Sequence, residues 1–129
     1  MKSIDTNIIA RWLIRDDDIQ AKQVDSLLKD LKTAYVSDVV FFEFEHLARS
    51  YYMMSREMVQ EHLRSMVDSS YFNFNKALWS EILKIYLQHQ GLSMADCYLV
   101  LSARERGHES FVTFDRSLAR KLPKFVELA

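Results

Sequence analysis

The 129-residue sequence predicts an α/β protein in which a short, mainly parallel sheet is covered by helices. Three observations carry that expectation. Short β-prone runs alternate with amphipathic helical segments through connections too long for hairpins, which calls for parallel pairing across helical crossovers. Gly occurs twice and Pro once, where average usage of about 7% and 5% would give roughly nine and six. Element interiors are therefore rarely broken, which excludes collagen-like, linker-rich and all-β architectures. With 49% apolar residues and no linker, repeat or low-complexity tract, residues 1–129 are expected to form one domain with a continuous core.

The elements follow in order. Lys2 to Asp5 is a short strand, after which Asn7 or Thr6 caps a helix through Ile8, Ile9, Trp12 and Leu13 to about Ile14. Asp16 to Asp18 place acids at the positive end of a second helix, with Ile19, Val24, Leu27, Leu28 and Leu31 at helical spacing. Thr33 to Val36 is a brief strand that stops at Ser37, the cap of a helix from Asp38 to about Tyr52. Ser55 begins a helix ending near Val67, and Tyr71 to Phe74 is a strand. Lys76 to Gln88 is amphipathic, with Leu78, Ile82, Leu83, Ile85 and Tyr86 inward and Gly91 closing it. Ser93 caps a helix to Arg106, ended by Gly107. Glu109 to Phe114 is a β run, followed by a helix from Arg116 to Leu122 and a strand around Phe125 to Leu128.

The chain carries 17 Lys and Arg against 18 Asp and Glu, a net charge of −1, so any nucleic-acid role must rest on a local site. Cys97 is the one cysteine, which excludes an intrachain disulfide and paired thiols for structural zinc. The N-terminus is charged within five residues and shows no cleavage pattern. No uncharged apolar run approaches the roughly 20 residues that span a bilayer. A cytoplasmic protein with no membrane partner is expected.

Ligands of parallel α/β sheets bind beyond the carboxyl ends of the strands, which directs attention to four acids. Asp5 ends the first strand and Asp115 ends the Phe111 to Phe114 strand, so the two emerge on one rim if those strands are parallel neighbours. Each also reads as a helix cap. Glu43 lies on the helical wheel between Val39 and Leu47, in an arc shared with Val40, Phe44 and Tyr51. A carboxylate there requires a partner cation, either a buried Arg or Lys or a metal. Glu45 points elsewhere, toward Arg49 at i+4. Asp96 completes a Ser93-x-x-acid capping box, yet it also lies beside Leu99, Val100 and Ala103 on the core edge.

Four clustered carboxylates repel one another, so in a folded site some take up protons or a cation binds. A few hard oxygen ligands with room for water suit Mg2+ or Mn2+, ions that activate water for attack on a phosphodiester. Metal-assisted phosphodiester hydrolysis is the chemistry these residues point to.

The segments Asp5-Thr6-Asn7-Ile8-Ile9-Ala10-Arg11-Trp12-Leu13, Val36-Ser37-Asp38-Val39-Val40-Phe41-Phe42-Glu43, Met94-Ala95-Asp96-Cys97 and Phe111-Val112-Thr113-Phe114-Asp115-Arg116 occur in that order. Together they resemble the PIN domain and, in size and arrangement, the VapC ribonuclease toxins of toxin-antitoxin pairs. The resemblance implies a three-layer αβα fold and Mg2+- or Mn2+-dependent cleavage of RNA. It implies that Asp5, Glu43 and Asp96 are the core metal-binding acids, that Asp115 is the more variable fourth, and that Asn7 and Thr113 orient the site. It also implies a homodimer and a cognate antitoxin that wraps the toxin. Met53, Met54, Met58 and Met66 read either as an adaptable surface for such a partner or as core filling.

For an RNA substrate, Arg11, Arg15, Arg104, Arg106, Arg116, Arg120, Lys121 and Lys124 offer phosphate contacts, with Arg116 favoured by its place beside Asp115. His46, His62, His89 and His108 show no ligand spacing to one another and read as solvated or capping residues. Cys97 reads as a small packing residue.

A second class is a Mg2+-binding signalling or binding module with an acidic pocket and no nuclease activity, as in phospho-accepting receiver domains. Such a module needs an acceptor Asp at the end of a central strand, and the Tyr71 to Phe74 strand ends in Asn75 and Lys76. A phosphatase with Asp5 as nucleophile needs a second Asp two residues on, where Asn7 stands.

Overall fold

A computed structural model describes all 129 residues. Twelve elements alternate as anticipated, and every strand pair is parallel. The result is the mixed helix and short-parallel-sheet architecture of a PIN-like αβα fold. The chain forms two compact units, Met1–Lys76 and Ala77–Ala129.

The first unit carries β1 (Lys2–Ser3), α1 (Thr6–Ile14), α2 (Asp18–Leu31), β2 (Ala34–Tyr35), α3 (Asp38–Ser50), α4 (Arg56–Asp68) and β3 (Phe72–Asn73). Its sheet runs in the order β1-β2-β3, with Lys2 opposite Ala34 and Ala34 opposite Phe72. Two helices make each crossover, so the chain returns to the same end of the sheet before each new strand. α1 packs on α2, α3 and α4, and α3 packs on α4. Ile9, Phe41, Phe44, Leu63 and Met66 are fully buried between them, each contributing about 1.5–3 kcal/mol by leaving water. Trp12 meets Phe72 edge-on at 4.9 Å and Phe41 meets Phe74 at 5.1 Å, which ties α1 and α3 to the third strand.

Four of the helix starts are set by local chemistry legible in the sequence. The side chains of Asp17, Ser37, Ser55 and Ser93 accept the backbone N–H of Gln20, Val39, Met58 and Asp96 respectively. The cap of α1, however, is neither Asn7 nor Thr6 but Asp5, whose Oδ1 accepts the Ile8 N–H at 3.1 Å. The strand ends two residues earlier than expected, and that leaves the acid in the extended conformation a cap needs. In α2 the buried face is Ala21, Val24 and Leu28, while Ile19 and Leu27 face out.

The second unit carries α5 (Lys76–Gln88), α6 (Met94–Glu105), β4 (Phe111–Thr113), α7 (Arg116–Lys121) and β5 (Val126–Leu128); α5 begins at the unit boundary. β4 and β5 form a parallel pair joined through α7, with Phe111 opposite Val126 and Thr113 opposite Leu128. Trp79 is fully buried beside Leu78, Ile82, Leu83 and Tyr86, whereas Ile85 is only half-buried. Trp79 belongs to the inner face and Ile85 lies at its edge; the Trp79 ring meets Tyr98 of α6 edge-on at 5.7 Å.

α6 ends as expected. Gly107 has φ 82°, its N–H donates to Arg104 O at 3.0 Å and the His108 N–H donates to Ala103 O at 3.1 Å, the two bonds of a Schellman cap. Gly91 does not act this way. Its φ is not positive, and the turn after α5 is closed by the Leu92 N–H on His89 O at 3.0 Å. A Cβ there would meet only the ammonium end of Lys121, a flexible side chain that can move aside.

β1 pairs with β2 alone and β4 with β5 alone. The condition under which Asp5 and Asp115 would emerge on one rim, parallel pairing of the first strand with the Phe111 to Phe114 strand, is therefore not met. No helix is long and apolar enough to cross a membrane.

Candidate functional site

In the first unit the rule that sites lie beyond strand carboxyl ends holds. Asp5, Thr6 and Asn7 follow β1, Ser37 follows β2, and with Glu43 and His46 of α3 they line one open pocket of about 790 Å³. Val39, Phe42 and Leu47 supply its apolar wall.

Asp5 and Glu43 are held differently. Asp5 is fixed by its cap, which engages Oδ1 and leaves Oδ2 without a hydrogen bond. Glu43 accepts the Thr6 hydroxyl on Oε1 at 2.8 Å, so the residue after Asp5 reaches across 37 positions of sequence to orient the second acid. Neither carboxylate has an ion-pair partner.

Glu43 is not buried in an apolar arc, which corrects the sequence expectation. The buried face of α3 is Val40, Phe41, Phe44 and Ala48. It is turned by one residue, about 100° on the wheel, from the row of Val39, Glu43 and Leu47. Val39 is 57% exposed and Tyr51 74%, and Glu43 is exposed with them. No buried Arg or Lys partner is required, because the carboxylate keeps its access to water.

The second unit holds the other two acids. Asp115 caps α7 by accepting the Leu118 N–H on Oδ1 at 3.0 Å, and its own N–H donates to Thr113 Oγ1 at 3.0 Å. Thr113 thus sets the backbone from which Asp115 projects. Asp96 differs from its capping-box reading. Ser93 Oγ accepts the Asp96 N–H at 3.0 Å, but the reciprocal bond from the Asp96 carboxylate to Ser93 N–H is not made. The half-buried Asp96 side chain therefore takes no part in the cap.

These donors suit a hard cation that keeps most of its water, since Mg2+ is commonly held through one or two carboxylates. Asp5 and Glu43 each keep an oxygen without a hydrogen bond on the wall of one pocket. No group of three or more His, Cys, Asp or Glu side chains is gathered for a metal, so the first unit builds a two-carboxylate site and not a closed cage of the zinc type.

Among the proposed phosphate contacts, two arginines are committed elsewhere. Arg11 pairs with Asp16 at 2.7 Å, and Arg15 holds Asp25 through two bonds of 3.0 and 2.6 Å. The Tyr52 hydroxyl also donates to Asp16, at 2.7 Å. Tyr52 foremost, with Arg11, holds the Asp16 carboxyl below its ordinary range, and Asp16 in turn raises the Tyr52 hydroxyl. Arg116 is exposed at the start of α7 and Arg104 stacks over Phe125 at 4.6 Å. The methionines divide: Met66 is in the core, Met54 is half-buried, and Met53 and Met58 are exposed.

Thr6, Ser37 and His46 were not singled out by the sequence. His46 had a legible signal, its place three residues after Glu43 on one helix face, which a search for spacing among histidines alone passes over.

The first unit is thus a parallel α/β fold with two carboxylates and polar groups gathered beyond its strand ends. A family model described as PIN domain matches residues 3–122, and the chain belongs to that family. PIN domains are in general nucleases that use divalent metal ions, so the activity is of the nuclease, hydrolase type. Neither the curated proteins nor the solved structures include a match to this chain.

Proposed function

We propose that this chain is a Mg2+- or Mn2+-dependent endoribonuclease that hydrolyses RNA phosphodiester bonds, and that it is the VapC-like toxin of a type II toxin-antitoxin pair. The observation that carries the reading is the single pocket beyond β1 and β2 lined by both Asp5, fixed by its cap, and Glu43, oriented by Thr6, each with one oxygen free of hydrogen bonds. Asp96 and Asp115 complete the acids assigned by the resemblance; Asp96 is spared from capping and Asp115 is steadied by Thr113. A bound divalent ion supplies an activated water and offsets charge on the phosphodiester. The chain's own part is to hold the carboxylates in place, with Asn7 lining the pocket of Asp5 and Glu43 and Arg116 available to a phosphate.

The test is cleavage of RNA by the purified protein with Mg2+ or Mn2+. Asp5→Ala and Asp96→Ala are each expected to abolish it, and full activity in both would refute the reading. The toxin role predicts growth arrest on induction, relieved by co-expression of a small adjacent reading frame. We further propose that the chain acts as one domain, in the cytoplasm, as a homodimer.

A further inference from the structure

The one imidazole in the acid-lined pocket has a use that neither the four acids nor the basic residues cover. His46 lies on the wall shared with Asp5 and Glu43, one helical turn beyond Glu43. Its Nδ1 lies 3.4 Å from Ser50 Oγ, a long bond within α3. The ring is exposed and has no carboxylate partner, so it is neither half of an ion pair nor a packing residue. When the Ser50 hydroxyl donates to Nδ1, the ring proton resides on Nε2, which then offers an N–H with no protein acceptor.

The rest of the pocket says what that donor meets. The acids and His46 make one side polar, while Val39, Phe42 and Leu47 make the other apolar, with Val39 and Phe42 accessible. An anion alone has no use for the apolar wall, and an apolar ligand has none for the acids. A nucleotide unit satisfies both, since its base covers apolar and aromatic surface and its phosphate accepts an N–H donor.

Resting on the ribonuclease reading, we propose that His46 is a substrate-contacting residue that donates from Nε2 to an RNA phosphate in this pocket, and that Ser50 is the positioning residue that fixes its ring. The contact is made by the imidazole and not by the ion, so it is read in binding separately from cleavage, with a divalent ion present to offset the repulsion between the phosphate and the Asp5 and Glu43 carboxylates.

The experiment measures binding of a short single-stranded RNA by fluorescence anisotropy with Ca2+ in place of Mg2+, beside cleavage in Mg2+. His46→Ala is expected to weaken binding in Ca2+ about tenfold, or roughly 1.4 kcal/mol. The same variant should raise KM more than it lowers kcat. His46→Gln, which keeps an N–H donor, should recover much of the loss, and Ser50→Ala should weaken binding about threefold, a partial loss of positioning. Binding by His46→Ala within twofold of the parent would overturn the proposal, and so would a Gln variant no better than Ala. If the parent cuts RNA while His46→Ala binds and cuts it equally well, only this inference fails. If the parent neither binds nor cuts RNA, the ribonuclease reading fails and this one with it.

Discussion

At position 5 one carboxylate meets two demands through separate oxygens: Oδ1 caps α1 through the Ile8 N–H, while Oδ2 faces the pocket unbonded. The two roles come apart on substitution. Asn is as good a cap as Asp, so Asp5→Asn should change unfolding free energy by less than about 0.5 kcal/mol while removing nuclease activity. Asp5→Ala should also cost about 1 kcal/mol of stability, read by denaturant unfolding. Equal stability of the Asn and Ala variants would show that the cap contributes nothing. The Asp16 carboxylate offers a second test. Its pKa is lowered by Tyr52 and then Arg11, so its stabilisation is fully present above the unfolded value near about 3.9 and disappears as pH falls through the lower folded value. Tyr52→Phe should move the Asp16 titration back up toward the ordinary range, as followed by carboxyl NMR, and make acid unfolding less steep. An unchanged titration would mean that Arg11 alone sets it. The capping role of Asp5 was legible in its residue type, whereas its freedom at Oδ2 depends on what the folded chain places around it.

Among the elements, α6 separates structure from chemistry most cleanly, because Ser93 makes the cap and Asp96 does not return the bond. Ser93→Ala should destabilise the protein by about 1 kcal/mol, while Asp96→Asn should leave the melting temperature almost unmoved and lower RNA cleavage. A stability loss in Asp96→Asn as large as that in Ser93→Ala would restore the capping box. At the other end of the same helix, Gly107 has φ 82° with open space where a Cβ would go. Gly107→Ala should therefore cost about 1–2 kcal/mol through backbone strain alone, measurable as a lower unfolding midpoint with an unchanged m-value. α5, by contrast, was readable to its last residue, Lys76 to Gln88, because apolar periodicity is a local signal. The error there, Trp79 inside and Ile85 half-out, arose because several apolar residues compete for one inner face, and packing against the rest of the core chooses among them. The same competition turned α3 by one residue and left Glu43 in water.

For the molecule as a whole, bound metal should appear as stability as well as activity. A ligand that binds only the folded state raises its stability by about 2.7 kcal/mol at a hundred times its Kd, so Mg2+ or Mn2+ is expected to raise Tm in a concentration-dependent way. EDTA should abolish cleavage and that increment while leaving the protein folded, and Asp5→Asn should lose the increment. A Tm indifferent to divalent ions in the parent would count against a metal held by these acids. The 15.3 kDa chain should elute with about twice that mass if it is a homodimer.

By itself the sequence determined the alternation of elements, the serine caps and the glycine end of α6, because caps, periodicity and turn chemistry act over a few residues. Only the tertiary structure decided which arc of α3 faces the core and divided the strands into two parallel sheets. It alone joined Thr6 to Glu43 across 37 residues and set His46 on the same wall as Asp5. Those features depend on how α3 packs against α1 and the strand ends, and contacts between residues remote in sequence leave no periodic or local trace from which they can be read.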